Sequence, residues 1–419
     1  MMPLAKSRIL FVLILIHLSI AACVTVQQPR LEGAEDYYNR GNANRNTSQY
    51  DEAISDYTKS LEQNPFNDKA YNNRGVCYYA KGRYDLAIAD YNKAIELNPK
   101  NVMAYINRGS ASGKKGLYDL AFSDFTKALE INPYIEIAYY YRGGVNDEKR
   151  QYDLSIADYT KAIELNPNYT MAYNRRGAAY IQIGRHDKAI ADFNKALEMS
   201  PKSDMAYSNR GEAYRAKGLY DQAFSDFYKA IALNPKNVEA YYNRGRAYRE
   251  KGLYDQAISD LTDVILISPK NAMAYYYRGL AYGEKKQFEQ AFFNYTRAIE
   301  INPKEVNFFI SRGIASAKIG FNDLAISDFN KAIELDPKSV DAYNYRGEVY
   351  RAKGQHDLAI SDFNRTIMLN FKYAIAYVNR GNAYSEKGQP DRACADWKQA
   401  CVLGLCQQLE AASGKKLCN

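Results

Sequence analysis

The sequence predicts an all-α protein, a solenoid of antiparallel helix pairs stacked side by side. Three observations carry that prediction. Gly recurs at Gly41, Gly75, Gly109, Gly143, Gly177, Gly211, Gly245, Gly279, Gly313, Gly347 and Gly381, an interval of 34 residues with no insertion or deletion. Pro recurs at the same interval from Pro65 to Pro337, with Phe371 and Leu405 in the next two places. Between these marks, small and aromatic residues fall three or four apart. A fixed period this short is the mark of an array whose units bury their faces against one another. Eleven copies begin at residues 34, 68, 102, 136, 170, 204, 238, 272, 306, 340 and 374.

Taken in chain order, residues 1–22 read as a targeting segment. Lys6 and Arg8 form a short basic start, and Ile9 to Ala22 is an apolar run interrupted by His17 and Ser19. The run is short for a membrane span, and small residues precede Cys23, the pattern of a secretory signal peptide. A cysteine directly after Ile20-Ala21-Ala22 resembles the lipobox of bacterial lipoproteins. That resemblance implies that Cys23 carries a diacylglyceryl thioether, becomes the mature N-terminus and anchors the protein by its acyl chains. Val24 follows, where an Asp would imply inner-membrane retention, so the resemblance implies an outer-membrane lipoprotein facing the periplasm. A plain secreted protein cut near Ala22 and an uncut anchor are the other readings. Residues 23–33 form a tether, residues 34–407 the array, and residues 408–419 a C-terminal cap.

Each repeat reads as two helices. In the second copy, Ala70, Tyr71, Arg74, Gly75 and Tyr78 trace one side of a first helix, and Gly82 stops it. Ala87, Ile88, Tyr91, Ala94 and Ile95 trace the second helix, and Leu97-Asn98-Pro99 ends it. Short loops make the two antiparallel neighbours. Gly and Ala let the backbones approach, and Tyr91, Phe125, Tyr159, Phe193 and Phe227 fill the space opposite.

The succession Tyr71, Gly75, Tyr78, Ala87, Tyr91, Ala94 and Pro99 resembles the tetratricopeptide repeat, which is 34 residues long. The resemblance covers residues 34 to about 407. It implies a right-handed superhelix whose first helices line a concave groove, and a binding or scaffolding role instead of a reaction.

One departure stands out. Arg precedes the Gly in all eleven copies, from Arg40 to Arg380, where many members of the family have Leu. Sixteen residues on, ten copies carry Asp; in the eighth, Arg278 faces Asn294. Arg74 with Asp90, Arg108 with Asp124, Arg142 with Asp158 and Arg176 with Asp192 are rungs of an expected structural ladder. The acid row would cancel the field of an Arg row serving an anionic ligand. Whether each Arg meets the Asp of its own repeat or of a neighbour is open, and Arg278 is the expected weakest rung.

The resemblance places the second and fifth positions of each repeat on the groove. Along the third to eighth repeats these include Met103, Ile106, Ile137, Tyr140, Met171, Met205, Tyr242, Met273 and Tyr276, and Ile310 in the ninth is a further candidate groove residue. Apolar side chains facing solvent call for a cover. Met adapts to varied partners, and Tyr offers apolar area with a polar tip. A partner's peptide or helix laid along this stretch and a superhelix narrow enough to cover itself are the two readings. Arg215, Arg246 and Arg249 form a further patch facing Glu212 and Glu250, expected to be self-satisfied pairs.

Of six cysteines, Cys77 occupies a position that is Ala in eight repeats and reads as a buried, unpaired thiol. Cys394, Cys401, Cys406 and Cys418 crowd the C-terminal end. An exported protein can oxidise them. Cys394 and Cys401 lie on one helix, about 10.5 Å apart at 1.5 Å per residue, too far for a disulfide. Each is left to pair with Cys406 or Cys418, stapling the terminal repeat. Free thiols and a zinc site are the alternatives, though the spacings match no compact zinc knuckle.

Composition narrows the function. The chain has 419 residues, 47% apolar and 25% charged, a folded composition. Three histidines (His17, His186, His356) exclude a His-rich metal site. The net charge of +8 is spread over 56 basic and 48 acidic residues without a basic block, so nucleic acid is not an expected partner. No catalytic, metal or cofactor motif is visible; neither an enzyme nor a cofactor is expected. The leading expectation is a protein-interaction scaffold of the bacterial cell envelope, binding other envelope proteins or peptides. An accessory subunit of a secretion, pilus or polysaccharide machine and a self-associating spacer are the alternatives, and the oligomeric state is open.

Overall fold

The structure is a computed structural model that describes residues 33–414 and Cys418. The targeting segment, Cys23 and the tether before Gly33 lie outside the described residues. The described residues form 23 helices and no strand. They fall into two compact units, residues up to Ala172 and residues from Tyr173. Each is built of the same helix pairs.

The first helices begin at Ala34, Asp68, Val102, Glu136, Thr170, Asp204, Val238, Ala272, Val306, Val340 and Ala374, the first residue of every repeat. Local chemistry sets these starts. The side chains of Asn67, Asn101, Ser203, Asn237, Asn271 and Ser339 each accept a hydrogen bond from the third residue on, satisfying an orphan amide. The stops are equally local. Gly82 takes φ +71°, and the amides of Gly82 and Arg83 close onto the carbonyls of Tyr79 and Tyr78. Arg150 (φ +57°) and Lys286 (φ +59°) hold the same left-handed turn without glycine, a conformation that costs roughly 1 kcal/mol.

Within a pair, the repeating Gly meets a ring in every copy but the seventh, where Gly245 meets Leu261. A Cβ on Gly75 would lie 2.6 Å from Tyr91, and one on Gly177 would lie 2.7 Å from Phe193. The helices pack as closely as their backbones allow, and each fully buried ring contributes roughly 2–3 kcal/mol. Between repeats, the ring of one copy packs under the small residue of the next. Cys77 joins Ala53 and Tyr57, Ala111 joins Ala87 and Tyr91, and Ala247 joins Ala223 and Phe227. No single repeat has a core of its own.

Lys81 pairs with Asp51, Lys149 with Asp119 and Lys217 with Asp187, each at 2.5 Å, joining adjacent repeats at their exposed rim. Such surface pairs contribute about 0–1 kcal/mol each.

At the C-terminal end the second helix of the last repeat stops at Val402, and a separate helix, Gln407–Gly414, follows. The expected boundary after residue 407 therefore cuts the first residue from this helix. Disulfides join Cys394 to Cys418 (Cα–Cα 5.5 Å) and Cys401 to Cys406 (Cα–Cα 4.0 Å). The first draws the chain end over Trp397, where Ala412 and Cys418 complete a small core with Ala393 and Cys394. Cys77 is a free, buried thiol whose burial pushes its pKa up to about 11.

Candidate functional site

Two sets of side chains recur on the first helices: the arginine row, and the second- and fifth-position row. The arginine row is structural. Arg74 Nε and Nη2 donate to the two oxygens of Asp90 at 2.8 Å each, and Arg210 binds Asp226 likewise at 2.7 Å. Arg108–Asp124, Arg142–Asp158 and Arg176–Asp192 repeat the arrangement. Each Arg thus meets the Asp of its own repeat. The remaining nitrogen, Nη1, reaches back to the preceding repeat: Arg74 to Thr58 (3.1 Å), Arg108 to Asn92 (2.7 Å), Arg210 to Asn194 (2.6 Å) and Arg380 to Asn364 (2.6 Å). One guanidinium therefore ties two helices of its own repeat and one of its neighbour. At Arg244 the preceding repeat offers Tyr228, whose ring centroid lies 4.6 Å from the guanidinium.

Burial raises the carboxyls of Asp90, Asp124, Asp260 and Asp328 above the ordinary range, against the pull of their arginines. The hydrogen bonds that Arg210 donates to Asp226 raise the pKa of Arg210. Arg278 is the exception. Burial lowers its pKa, and it faces a neutral partner, with Nε donating to Asn294 Oδ1 at 2.8 Å.

The groove row divides by side-chain shape. Met103, Met171, Met205 and Met273 are exposed, at 49%, 53%, 58% and 39%. Ile137 is half-buried against the core around Phe125. Two members of the expected surface are core instead. Ile106 (2% exposed) is buried with Phe125, Leu129 and Val145, and Ile310 (9%) with Phe329 and Val349. A short branched side chain at the fifth position stays inside the seam between repeats. The tyrosines there are half-buried in ring clusters: Tyr140 lies 5.1 Å from Tyr169, Tyr242 5.6 Å from Tyr277, and Tyr276 5.0 Å from Phe308. The solvent-facing apolar side chains of this row are consequently methionines, Met103 and Met171 in the first unit and Met205 and Met273 in the second, edged in each by tyrosine.

In the second unit, a cleft of about 520 Å³ opens beside Met205 and is lined by Asn174, Ser208, Asn209 and Glu239. Asn209 Nδ2 donates to Asn174 Oδ1 at 3.1 Å, while Ser208 Oγ is buried with no hydrogen-bond partner among the described residues. The Arg patch departs from expectation. Arg215 is held by Glu212 and Glu250. Arg249 forms no ion pair among the described residues, and Arg246 reaches Glu212 only at 3.4 Å.

Among the described residues no cluster of metal-ligating side chains forms, and no helix is long and apolar enough to cross a membrane.

Four family profiles, described as Tetratricopeptide repeat or TPR repeat, match this chain. Their matches are residues 34–67, 68–101, 104–135, 148–184, 171–203, 211–248, 245–286, 272–305, 329–361 and 374–401. The chain belongs to the tetratricopeptide-repeat family. Solved structures agree on the fold. The chain is similar to the APC/C hetero-tetramer Cut9–Hcn1, with 16% identity and TM-score 0.50 over 90% of this chain and 96% of that one. It is also similar to a monomeric IFIT1 mutant bound to Gppp-AAAA, with 16% identity and TM-score 0.51 over 89% of this chain and 91% of that one. YrrB, described as a TPR protein with an unusual peptide-binding site, matches at 29% identity and TM-score 0.38, over 44% of this chain and 95% of that one. No curated protein matches the sequence. None of the four matched profiles describes a catalytic family.

Proposed function

We propose that the protein is an interaction scaffold of the bacterial cell envelope, held to the outer membrane by a lipid on Cys23 and taking a partner's peptide or helix on its first helices. The observation that carries the reading is the exposure of methionines at the second position of the first helices in both units. Met103, Met171, Met205 and Met273 stand exposed on helices that otherwise turn small and aromatic residues inward. Exposed unbranched thioethers adapt to varied apolar surfaces. Membership of the tetratricopeptide-repeat family supports a binding role. The lipid anchor rests on the Ala22-Cys23 sequence.

The test is crosslinking of the tagged full-length protein in intact cells, beside a form with the four methionines changed to Ser. These side chains are exposed, so the substitution spares the core. Loss of a discrete captured protein supports the reading. Capture that persists unchanged places the contact elsewhere and overturns it. Metabolic labelling with a palmitate analogue, lost in Cys23→Ser, tests the anchor separately.

A further inference from the structure

The twelfth position of the first helix is Arg215 in the sixth repeat, Arg249 in the seventh and Gly283 in the eighth. Arg215 is saturated. Nε and Nη2 donate to Glu212 at 2.7 and 2.8 Å, and Nη1 donates to Glu250 at 2.6 Å. Arg351, at the same position in the tenth repeat, pairs with Glu386, 35 residues on. Arg249 has Glu284 at that same offset yet makes no such pair; its guanidinium lies 5.6 Å from the Tyr277 ring centroid, and its Nε is buried without a hydrogen-bond partner. Arg246 lies on the same ring, 5.4 Å from its centroid, and 5.5 Å from that of Tyr242. Its polar contacts, to Glu212 and Asn243, are both 3.4 Å, and its Nε is also buried and unbonded.

Two guanidinium groups thus share one phenol ring, and Glu212, which Arg246 reaches at 3.4 Å, is held more closely by Arg215, at 2.7 Å. Stacking on a ring attracts the charge but leaves the Nε donor of each guanidinium unmet. A fixed pair of planar, under-bonded cations suits a carboxylate.

Beside them is a space. Gly283 leaves a hollow of about 230 Å³, lined by Leu280, Phe288, Tyr295 and Ile314. A Cβ there would meet only Tyr295 Oη, at 3.6 Å. Packed rings connect the arginines to this hollow: Tyr277, under Arg249, lies 5.5 Å from Tyr276, which lies 5.9 Å from Tyr295 in the hollow's lining. Glu284 stands on the hollow's rim and disfavours a second acid there.

We propose that the first helices of the seventh and eighth repeats, Val238–Glu250 and Ala272–Glu284, bind an acidic–apolar peptide motif. In it, an Asp or Glu side chain is received by Arg246 and Arg249, and a nearby large apolar side chain enters the hollow over Gly283. This rests on the scaffold reading above and names its partner class. Charge complementarity selects the acid, the hollow selects its apolar neighbour, and Glu284 rejects a uniformly acidic segment.

The test is selection from a library of random dodecapeptides, acetylated and amidated so that only side chains carry charge. The purified full chain is compared with an Arg246→Gln/Arg249→Gln double variant and with Gly283→Leu, each checked by circular dichroism, with Gly283→Ala as a milder filling. The expected result is enrichment of peptides with an acid close to Phe, Leu, Ile or Trp. For such a peptide the double variant binds about tenfold or more weakly, the worth of one charged hydrogen-bonded contact. Gly283→Leu keeps the requirement for acid and loses the requirement for a large apolar residue. Enriched peptides that lack acid, or that bind the double variant equally well, overturn this inference and leave the scaffold reading standing. If no peptide is enriched, the inference fails, and the crosslinking experiment decides the scaffold reading on its own.

Discussion

Two adjacent glycines in the fourth repeat should respond in opposite ways to the same substitution. Gly143 and Gly144 both lie inside the helix Glu136–Glu148. A Cβ on Gly143 would meet Tyr159 Cε1 at 2.7 Å and Cδ1 at 3.0 Å, whereas a Cβ on Gly144 would find only Tyr159 Oη, at 3.8 Å, an ordinary contact. Replacing Gly by Ala in a helix interior gains about 1 kcal/mol in either case. At Gly143 the ring must also retreat by roughly 1 Å in a close-packed seam, an overpacking cost of about 1–3 kcal/mol. That movement strains the 2.5 Å hydrogen bond from Tyr159 Oη to Asp147, which contributes a further 1 kcal/mol or so. Gly143→Ala should therefore destabilise by about 1–3 kcal/mol and Gly144→Ala stabilise by up to about 1 kcal/mol. Urea unfolding followed by circular dichroism reads the sign. Amide exchange across Glu136–Glu148 reads it locally, because an array need not unfold as one unit. Equal effects from the two substitutions would refute the claim that ring contact, and not helix propensity, keeps the first glycine.

Other outcomes follow from the same geometry. Asn294→Asp should restore the missing rung and raise stability by about 1 kcal/mol, the gain of a charge-assisted bond to Arg278 less the lost Asn294–Gln290 contact; an unchanged melting temperature would count against the ladder. Reduction of the disulfides should release the chain end from Trp397, the only tryptophan, and shift its emission to the red; closing the 24-residue span from Cys394 to Cys418 contributes about 3 kcal/mol in the chain-entropy description, and unmoved emission would contradict that docking. The Cys77 thiol should resist iodoacetamide at pH 8 in the folded protein and react on unfolding. Its folded pKa is raised by burial, so the stability it contributes is complete below the ordinary thiol value and lost as pH rises towards about 11; fast alkylation of the native chain would disprove its burial.

Much of this was legible in the sequence for a definite reason. A strict period lets one helix pair stand for all, so the helix starts could be read eleven times over, and the glycine–ring contact and the Arg-to-Asp offset ten times each, with Leu261 and Asn294 as the departures. The contact from Arg Nη1 to the preceding repeat was not legible, because its partner changes among Thr58, Asn92 and Tyr228. Position alone also misplaced Ile106 and Ile310. A repeat position fixes the direction of the Cβ, but the length of the side chain decides whether it clears the seam. The Arg patch misled for a related reason. Glu212 and Glu250 look sufficient by count, but both are drawn to Arg215, which leaves Arg249 stacked on Tyr277 without a carboxylate.

The ladder has a consequence for how a chain of this kind can change length. Both strong bonds of each arginine close within its own copy, and only the third crosses to the copy before. Deleting residues 238–271, one whole period, would remove the Arg244–Asp260 rung intact and present Arg278 with Tyr228 in place of Thr262. That tyrosine already packs against a guanidinium, so no arginine would be left facing a gap. A deletion of any other length would separate acid from base and ring from glycine in the copy it interrupts. The protein's inheritance of length is thereby quantised: whole copies can be lost or gained, and fractions of a copy cannot.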